Sequence, residues 1–73
     1  MDSKILKNLR EDLVGELEAI NQYQNHIDET DDEEIRKILD HIRDDEKEHV
    51  AELTKIIRKL DSIQEEKFQK EEL

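Results

Sequence analysis

The stretch IRKILDHIRDDEKEHVAELTKIIRKLDSI, residues 35–63, decides the fold of this chain. Its apolar residues recur at alternating steps of four and three, which is the repeat of an α-helix that packs along other helices. Ile or Leu occupies seven of the nine repeat positions, and Glu46 and His49 occupy the other two. Because these two residues are three apart, their side chains point to the same place on the helix. A carboxylate and an imidazole therefore interrupt an otherwise aliphatic stripe.

This interruption calls for a binding partner. A carboxylate and an imidazole buried among aliphatic side chains cost several kcal/mol unless something pairs with them. A metal ion pairs with both groups at once. The chain has no cysteine, which excludes disulfides, iron–sulfur clusters and thiolate metal sites. Carboxylate and imidazole ligands without sulfur suit iron or manganese, with zinc as a non-redox occupant.

Composition limits the remaining functions. The chain has 73 residues, of which 47% are charged and 33% hydrophobic, and its net charge is −10. Chains this short are marginal as monomers unless a metal or a second chain helps. The acidic balance disfavours nucleic acid and anionic membranes as partners and favours cations. Neither a run long enough to span a membrane nor a signal-peptide pattern is present, so we expect a cytoplasmic location.

The sequence predicts an all-α fold, a single helical hairpin over residues 1–73. The main break in the chain is the acidic stretch at residues 28–34, since there is no proline and only one glycine. The sequence TDDE, residues 30–33, has capping-box spacing and predicts Thr30 or Asp31 as the N-cap of a second helix. Helix 1 is expected at about residues 3–28 and helix 2 at about 32–68. Helix 2 then outruns helix 1, and residues 62–73 have no helix 1 partner.

Helix 1 carries its own apolar stripe with one charged interruption. The stripe consists of Leu6, Leu9, Leu13, Glu16, Ile20, Tyr23 and Ile27. Folding the chain back at residue 31, in the middle of the acidic turn, places Glu16 level with Glu46. The spacing therefore predicts that Glu16, Glu46 and His49 form one cluster in one layer of the hairpin.

Two considerations predict a homodimer or a higher homo-oligomer. Three protein ligands are too few to enclose a two-metal centre, and two helices cannot close a core. A two-fold axis would join two antiparallel hairpins into a four-helix bundle. It would also double the ligands to four carboxylates and two imidazoles, and four negative charges balance two divalent ions.

These residues resemble a known family. Glu16, followed after 29 intervening residues by EKEH at residues 46–49, is similar to the ligand pattern of the ferritin-like superfamily. The resemblance is closest to half-length members such as encapsulated ferritins and short rubrerythrin-like domains. It covers about residues 5–60.

The resemblance implies a role for each matching residue. Glu16 and His49 would be terminal metal ligands, and Glu46 would bridge the two irons. Tyr23, seven residues after the first ligand, would lie near the metal. Asp45, four residues before the histidine, would orient the His49 imidazole by accepting a hydrogen bond from it.

The function that the resemblance implies is a ferroxidase. Two iron ions per dimer, or manganese or zinc in their place, would occupy the shared site. Oxygen or peroxide would oxidise Fe(II) to a bridged diferric product, for iron storage or detoxification, and an encapsulating protein shell would be a further partner. Two alternatives stay open at this point. One is a non-catalytic helical dimerisation module whose polar residues fix register, and the other is a bundle with a structural zinc or manganese ion.

Overall fold

The computed structural model describes residues 3–73, which form three helices: α1 (Ser3–Glu29), α2 (Glu33–Leu60) and α3 (Ser62–Lys70). These residues contain no strand, so the prediction of an all-α chain is confirmed. α1 packs along α2 in the antiparallel direction, and α3 contacts α2. The molecule is only 14 Å thick in its smallest dimension. Since one helix with its side chains is about 10–12 Å wide, the hairpin is a single layer of helices. None of the helices described is long and apolar enough to cross a membrane.

The turn between α1 and α2 is capped by Asp32, so the prediction of Thr30 or Asp31 as N-cap is wrong. Asp32 has an extended backbone, and its carboxylate accepts hydrogen bonds from the backbone N–H groups of Glu34 and Ile35. The Thr30 hydroxyl accepts from the Asp32 N–H at 3.2 Å and so stabilises the turn ahead of the cap. Aspartate is at least as good an N-cap as threonine, and Asp32 directly precedes Glu33, the first residue of α2.

The second helix is not continuous to residue 68, as the sequence had suggested, because it breaks at Asp61. The backbone of this residue is extended, and its N–H still donates to the Ile57 carbonyl at 2.8 Å, closing α2. Its carboxylate accepts from the Gln64 N–H at 3.1 Å and opens α3. One aspartate therefore ends one helix and begins the next.

The break also gives the C-terminal segment contacts that a straight helix 2 would lack. Arg10 of α1 bonds Asp61 at 2.8 Å. Arg58 of α2 bonds Glu65 at 2.7 Å and stacks on the Phe68 ring at 4.4 Å from its centre. Asp61 precedes α3, and α3 itself packs against α2, in agreement with the expectation that residues 62–73 have no helix 1 partner.

The core is small for a chain of this length. Within residues 3–73, the buried hydrophobic side chains are Leu6, Ile27 and Ile57. In the same range, eight large apolar residues are at least 42% exposed, among them Ile5, Ile38 and Ile56, and most of the others are half-buried. A single layer of helices can bury only the sides that face each other, so much of the apolar surface of the hairpin is left to solvent.

Candidate metal centre

The structure brings together the three residues that interrupt the apolar stripes. Glu16 comes from the middle of α1, and Glu46 and His49 come from successive turns of α2. One ligand atom from each of the three lies within 4.8 Å of the others. The antiparallel packing sets this arrangement, because the short turn fixes which layer of α1 meets which layer of α2.

The distances within the cluster suit a single metal ion. His49 Nδ1 lies 3.3 Å from Glu16 Oε2 and 3.4 Å from Glu46 Oε2. Two ligand atoms at about 2.1 Å from one ion, at right-angled to tetrahedral angles, are separated by about 3.0–3.4 Å. The same distances also fit hydrogen bonds from a protonated imidazole. What favours the metal is the donor set, since two carboxylates beside one imidazole leave more negative charge than one proton balances.

One chain supplies only part of a coordination shell. The side chains of Glu16 and Glu46 are 26% and 18% exposed, whereas that of His49 is 48% exposed. The cluster therefore lies in an open groove between α1 and α2, which all three side chains line. Three protein ligands leave at least one coordination position open for a tetrahedral ion and three for an octahedral one.

The groove has more negative charge than the three predicted ligands provide. Glu11, Asp12 and Glu52 also line it. These three residues are not among the predicted site residues, although a sequence signal exists for two of them. Asp12 lies four residues before Glu16, and Glu52 lies three residues after His49, spacings that keep each pair on one helix face. The groove is consequently a region of negative potential that attracts cations.

The two residues expected to support the ligands lie in different positions. Tyr23 is half-buried on α1, two turns beyond Glu16 and about 10 Å from it along the helix axis. The Asp45 carboxylate lies 3.4 Å from Nε2 of His41, one turn before it on α2. Here Asp45 pairs with His41, and its interaction with His49 stays a prediction.

Comparison with known proteins identifies the family. A family model described as EncFtn-like matches residues 2–72. The encapsulin nanocompartment cargo protein EncC of Myxococcus xanthus is 41% identical over 63 residues, which cover 86% of this chain and 48% of the relative. The encapsulated ferritin-like protein of Rhodospirillum rubrum is 43% identical over 50 residues, 68% of this chain and 36% of that protein.

A third relative extends the range of organisms. The ferritin-like protein of Thermotoga maritima is 45% identical over 47 residues, 64% of this chain and 41% of the relative. The chain thus spans about half the length, or less, of these curated relatives. No solved structure matches it. Since the family model covers nearly every residue, this chain belongs to the EncFtn-like family.

Proposed function

We propose that this chain supplies half of a ferroxidase centre, which two copies complete and at which Fe(II) is oxidised. The observation that carries the proposal is the convergence of Glu16, Glu46 and His49 within 4.8 Å. Iron and manganese favour this mixture of carboxylate and imidazole ligands. Membership of the EncFtn-like family supports an iron-related role.

Fe(II) is the substrate of the proposed reaction. Two Fe(II) ions each give up one electron, and the pair of electrons reduces oxygen to peroxide or peroxide to water, with protons taken from solvent. Glu16 and His49 hold one ion from the side, and Glu46 lies between the two ions. Four carboxylates from two chains offset the charge of two divalent ions, so that both can bind close together.

The exposed apolar residues support a second copy as the other half of the site. Ile56 lies seven residues after His49, and Ile38 lies eleven residues before it. Ile5 lies eleven residues before Glu16. Seven and eleven residues correspond to about two and three helical turns, so all three share the face of the candidate ligands. They are 42–54% exposed. A second hairpin laid on this face would bury them and cover the groove in one step.

Tyr23 and Asp45 enter the proposal as supporting residues. Tyr23 shares the face of Glu16 on α1 and would contact the bound substrate region once a second copy is in place. Asp45 would turn from His41 to His49 when the imidazole becomes a ligand, because a carboxylate that accepts from the second ring nitrogen strengthens the metal bond. Glu11, Asp12 and Glu52 would raise the local concentration of Fe(II).

The names of the relatives suggest where oxidised iron goes. One relative is named an encapsulin nanocompartment cargo protein, and another is named a ferritin-like–encapsulin shell fusion protein. A dimer of two single-layer hairpins has no internal space for a mineral. We therefore propose that this protein acts inside an encapsulin compartment and passes ferric iron to its lumen.

The test is aerobic oxidation of Fe(II), followed by the absorbance of the ferric product. We expect Glu46→Ala to lower the initial rate at least a hundredfold, because it removes the carboxylate shared by the two ions. Glu48→Ala is the matched control, since this exposed glutamate lies on the same helix two residues away and does not line the groove. Equal rates for Glu46→Ala and the unmodified chain would refute the assignment.

An anaerobic titration distinguishes the remaining alternatives. Two Fe(II) ions bound per two chains supports the shared centre. Tight binding of zinc or manganese without any oxidation of iron would indicate a structural site. No metal binding by a stable dimer would indicate a helical dimerisation module in which the polar residues set register only.

A further inference from the structure

Arg43 crosses from α2 to α1 close to the candidate metal centre. Its side chain is only 18% exposed. Nη1 donates to the Gln24 side-chain oxygen of α1 at 2.8 Å and lies 3.2 Å from Asp40, and Nη2 lies 3.2 Å from Asp44. The guanidinium is thus held on its own helix by two carboxylates while it reaches across to the other helix.

The receiving amide is oriented in advance. Nε2 of Gln24 donates to Asp28 at 2.9 Å, one turn further along α1. Because the nitrogen end of the amide is bound to this carboxylate, the oxygen end faces Arg43 and can only accept. Gln24, Arg43 and their three aspartate partners form one continuous network, which we call the Arg43 clamp. Arg43 lies one turn before Glu46.

The clamp bears on the metal centre through the relative placement of the two helices. Glu16 is on α1, whereas Glu46 and His49 are on α2. The distances from Glu16 to the other two candidate ligands therefore vary whenever the distance between the two helices varies. In this layer the aliphatic side chains that lock neighbouring helices are replaced by the ligands themselves. The flanking contacts must therefore hold the helices. The clamp is a directional contact of this kind, with Arg43 one turn from Glu46 on α2 and Gln24 just over two turns from Glu16 on α1.

We infer that Arg43 and Gln24 are positioning residues, which hold α1 against α2 so that Glu16 meets Glu46 and His49 at metal-binding distance. This inference rests on the proposed function, because it concerns the geometry of the same site. The clamp acts by position, since the carboxylates of Asp40 and Asp44 already more than offset the single positive charge of Arg43. It needs no contact with the metal.

The first measurement is the affinity for Co(II), whose visible spectrum also reports ligand geometry. Arg43→Met and Gln24→Leu should each weaken binding about tenfold, the lower end of the effect of groups that orient metal ligands. The double variant should bind Co(II) within about twofold of the single variant that binds it more weakly, since both changes break the same contact. Additive losses, or affinities within twofold of the unmodified chain, would overturn the inference.

Arg58→Met is the matched control. Arg58 is a second partly buried arginine of α2, 28% exposed, but its partners are Glu65 and Phe68 of α3 and the Leu73 carbonyl. Its replacement removes a comparable set of contacts without touching α1. It should lower the melting temperature and leave the affinity and spectrum of Co(II) unchanged. An equal loss of affinity in Arg58→Met would mean that general destabilisation accounts for the effect.

A metal-free measurement keeps this inference separate from the proposed function. Because the chain has no cysteine, spin labels can be placed at Glu18→Cys and Glu48→Cys, one on each helix, and diluted with unlabelled chain. Arg43→Met and Gln24→Leu should broaden the distribution of distances between the labels, and Arg58→Met should not. An unchanged distribution in both clamp variants would refute the inference. Absence of Co(II) binding in the unmodified chain would refute the proposed function, and the distance measurement would still decide the clamp.

Discussion

The substitution Glu16→Leu should stabilise the metal-free protein. Glu16 stands in an aliphatic stripe with 26% of its side chain exposed. Full burial of a leucine contributes about 1.5–3 kcal/mol, so about three-quarters of that, about 1–2 kcal/mol, is gained. The lost pair with His49 is partly exposed and is worth about 0.2–1 kcal/mol. The net gain of about 1 kcal/mol corresponds to a melting temperature about 4–8 °C higher in a chain of this size.

Metal should reverse this order of stability. An ion present at a hundred times its dissociation constant stabilises the protein that binds it by about 2.7 kcal/mol. Glu16→Leu removes one of three ligands and should lose most of that increment. The variant is then more stable than the unmodified chain without metal and less stable with it. If Glu16 only set the register of the helices, Glu16→Leu would still stabilise the metal-free protein, but metal would not reverse the order of stability.

Thermal unfolding followed by circular dichroism, in chelator and in excess Mn(II), tests this inversion. Glu18→Leu is the control, because this glutamate is exposed on the same helix and does not line the groove. It should change stability by less than about 0.5 kcal/mol and keep the full response to Mn(II). The reasoning fails if Glu16→Leu melts below the unmodified chain in chelator, or if Mn(II) raises both melting temperatures equally.

Three further predictions follow from the described contacts. The Gln64 N–H and Arg10 lower the pKa of Asp61. Its ionised carboxylate therefore contributes to the stability of the fold above the unfolded pKa, and this contribution is lost as pH falls through the lowered folded pKa. Asp61→Asn should melt below the unmodified chain near pH 7, and the difference should vanish in acid. Ile56→Glu should weaken self-association at least tenfold in sedimentation equilibrium, because one buried isoleucine contributes about 1.5–3 kcal/mol; an unchanged dimer would place the interface elsewhere. Asp32→Ala should cost about 0.5–2 kcal/mol in urea unfolding, and Thr30→Ala less, since Asp32 caps α2; the opposite order would restore Thr30 as the cap.

Helical periodicity made the cluster predictable from sequence. The alternating steps of three and four fix which residues share a face, and the position of the acidic turn fixes which layers meet. Together they placed Glu16 level with Glu46 and His49 before any coordinates, and the structure brings the three together. Longer side chains were harder to assign. Asp45 can reach a histidine one turn before or one turn after it, and spacing is the same for His41 and His49, so it does not decide between them.

Capping patterns were a poorer guide to the helix ends. The capping-box spacing at residues 30–33 pointed to Thr30, but several adjacent acidic residues can cap, and the backbone conformation selects Asp32. The same spacing, Asp followed three residues later by Gln64, occurs at Asp61 and marks the start of α3. It was missed because the apolar repeat continues across it to Ile63. A repeat records which residues can share a face and carries no information on whether the backbone stays helical between them.

The single-layer fold is the physical reason for proposing that one chain presents the candidate ligands and that a second chain completes the site. A hairpin 14 Å thick has no interior in which an ion could be enclosed, and it leaves His49 half-exposed together with Ile38 and Ile56. The polar part of this face favours a cation as its partner, whereas the apolar part favours an aliphatic surface. In the proposed dimer, a second copy carrying the same groove would provide the aliphatic surface and the missing ligands at once, and ions between the two copies would offset the carboxylates that it adds. Metal binding and self-association should therefore strengthen each other, so that chelation loosens the dimer and dilution weakens the metal site.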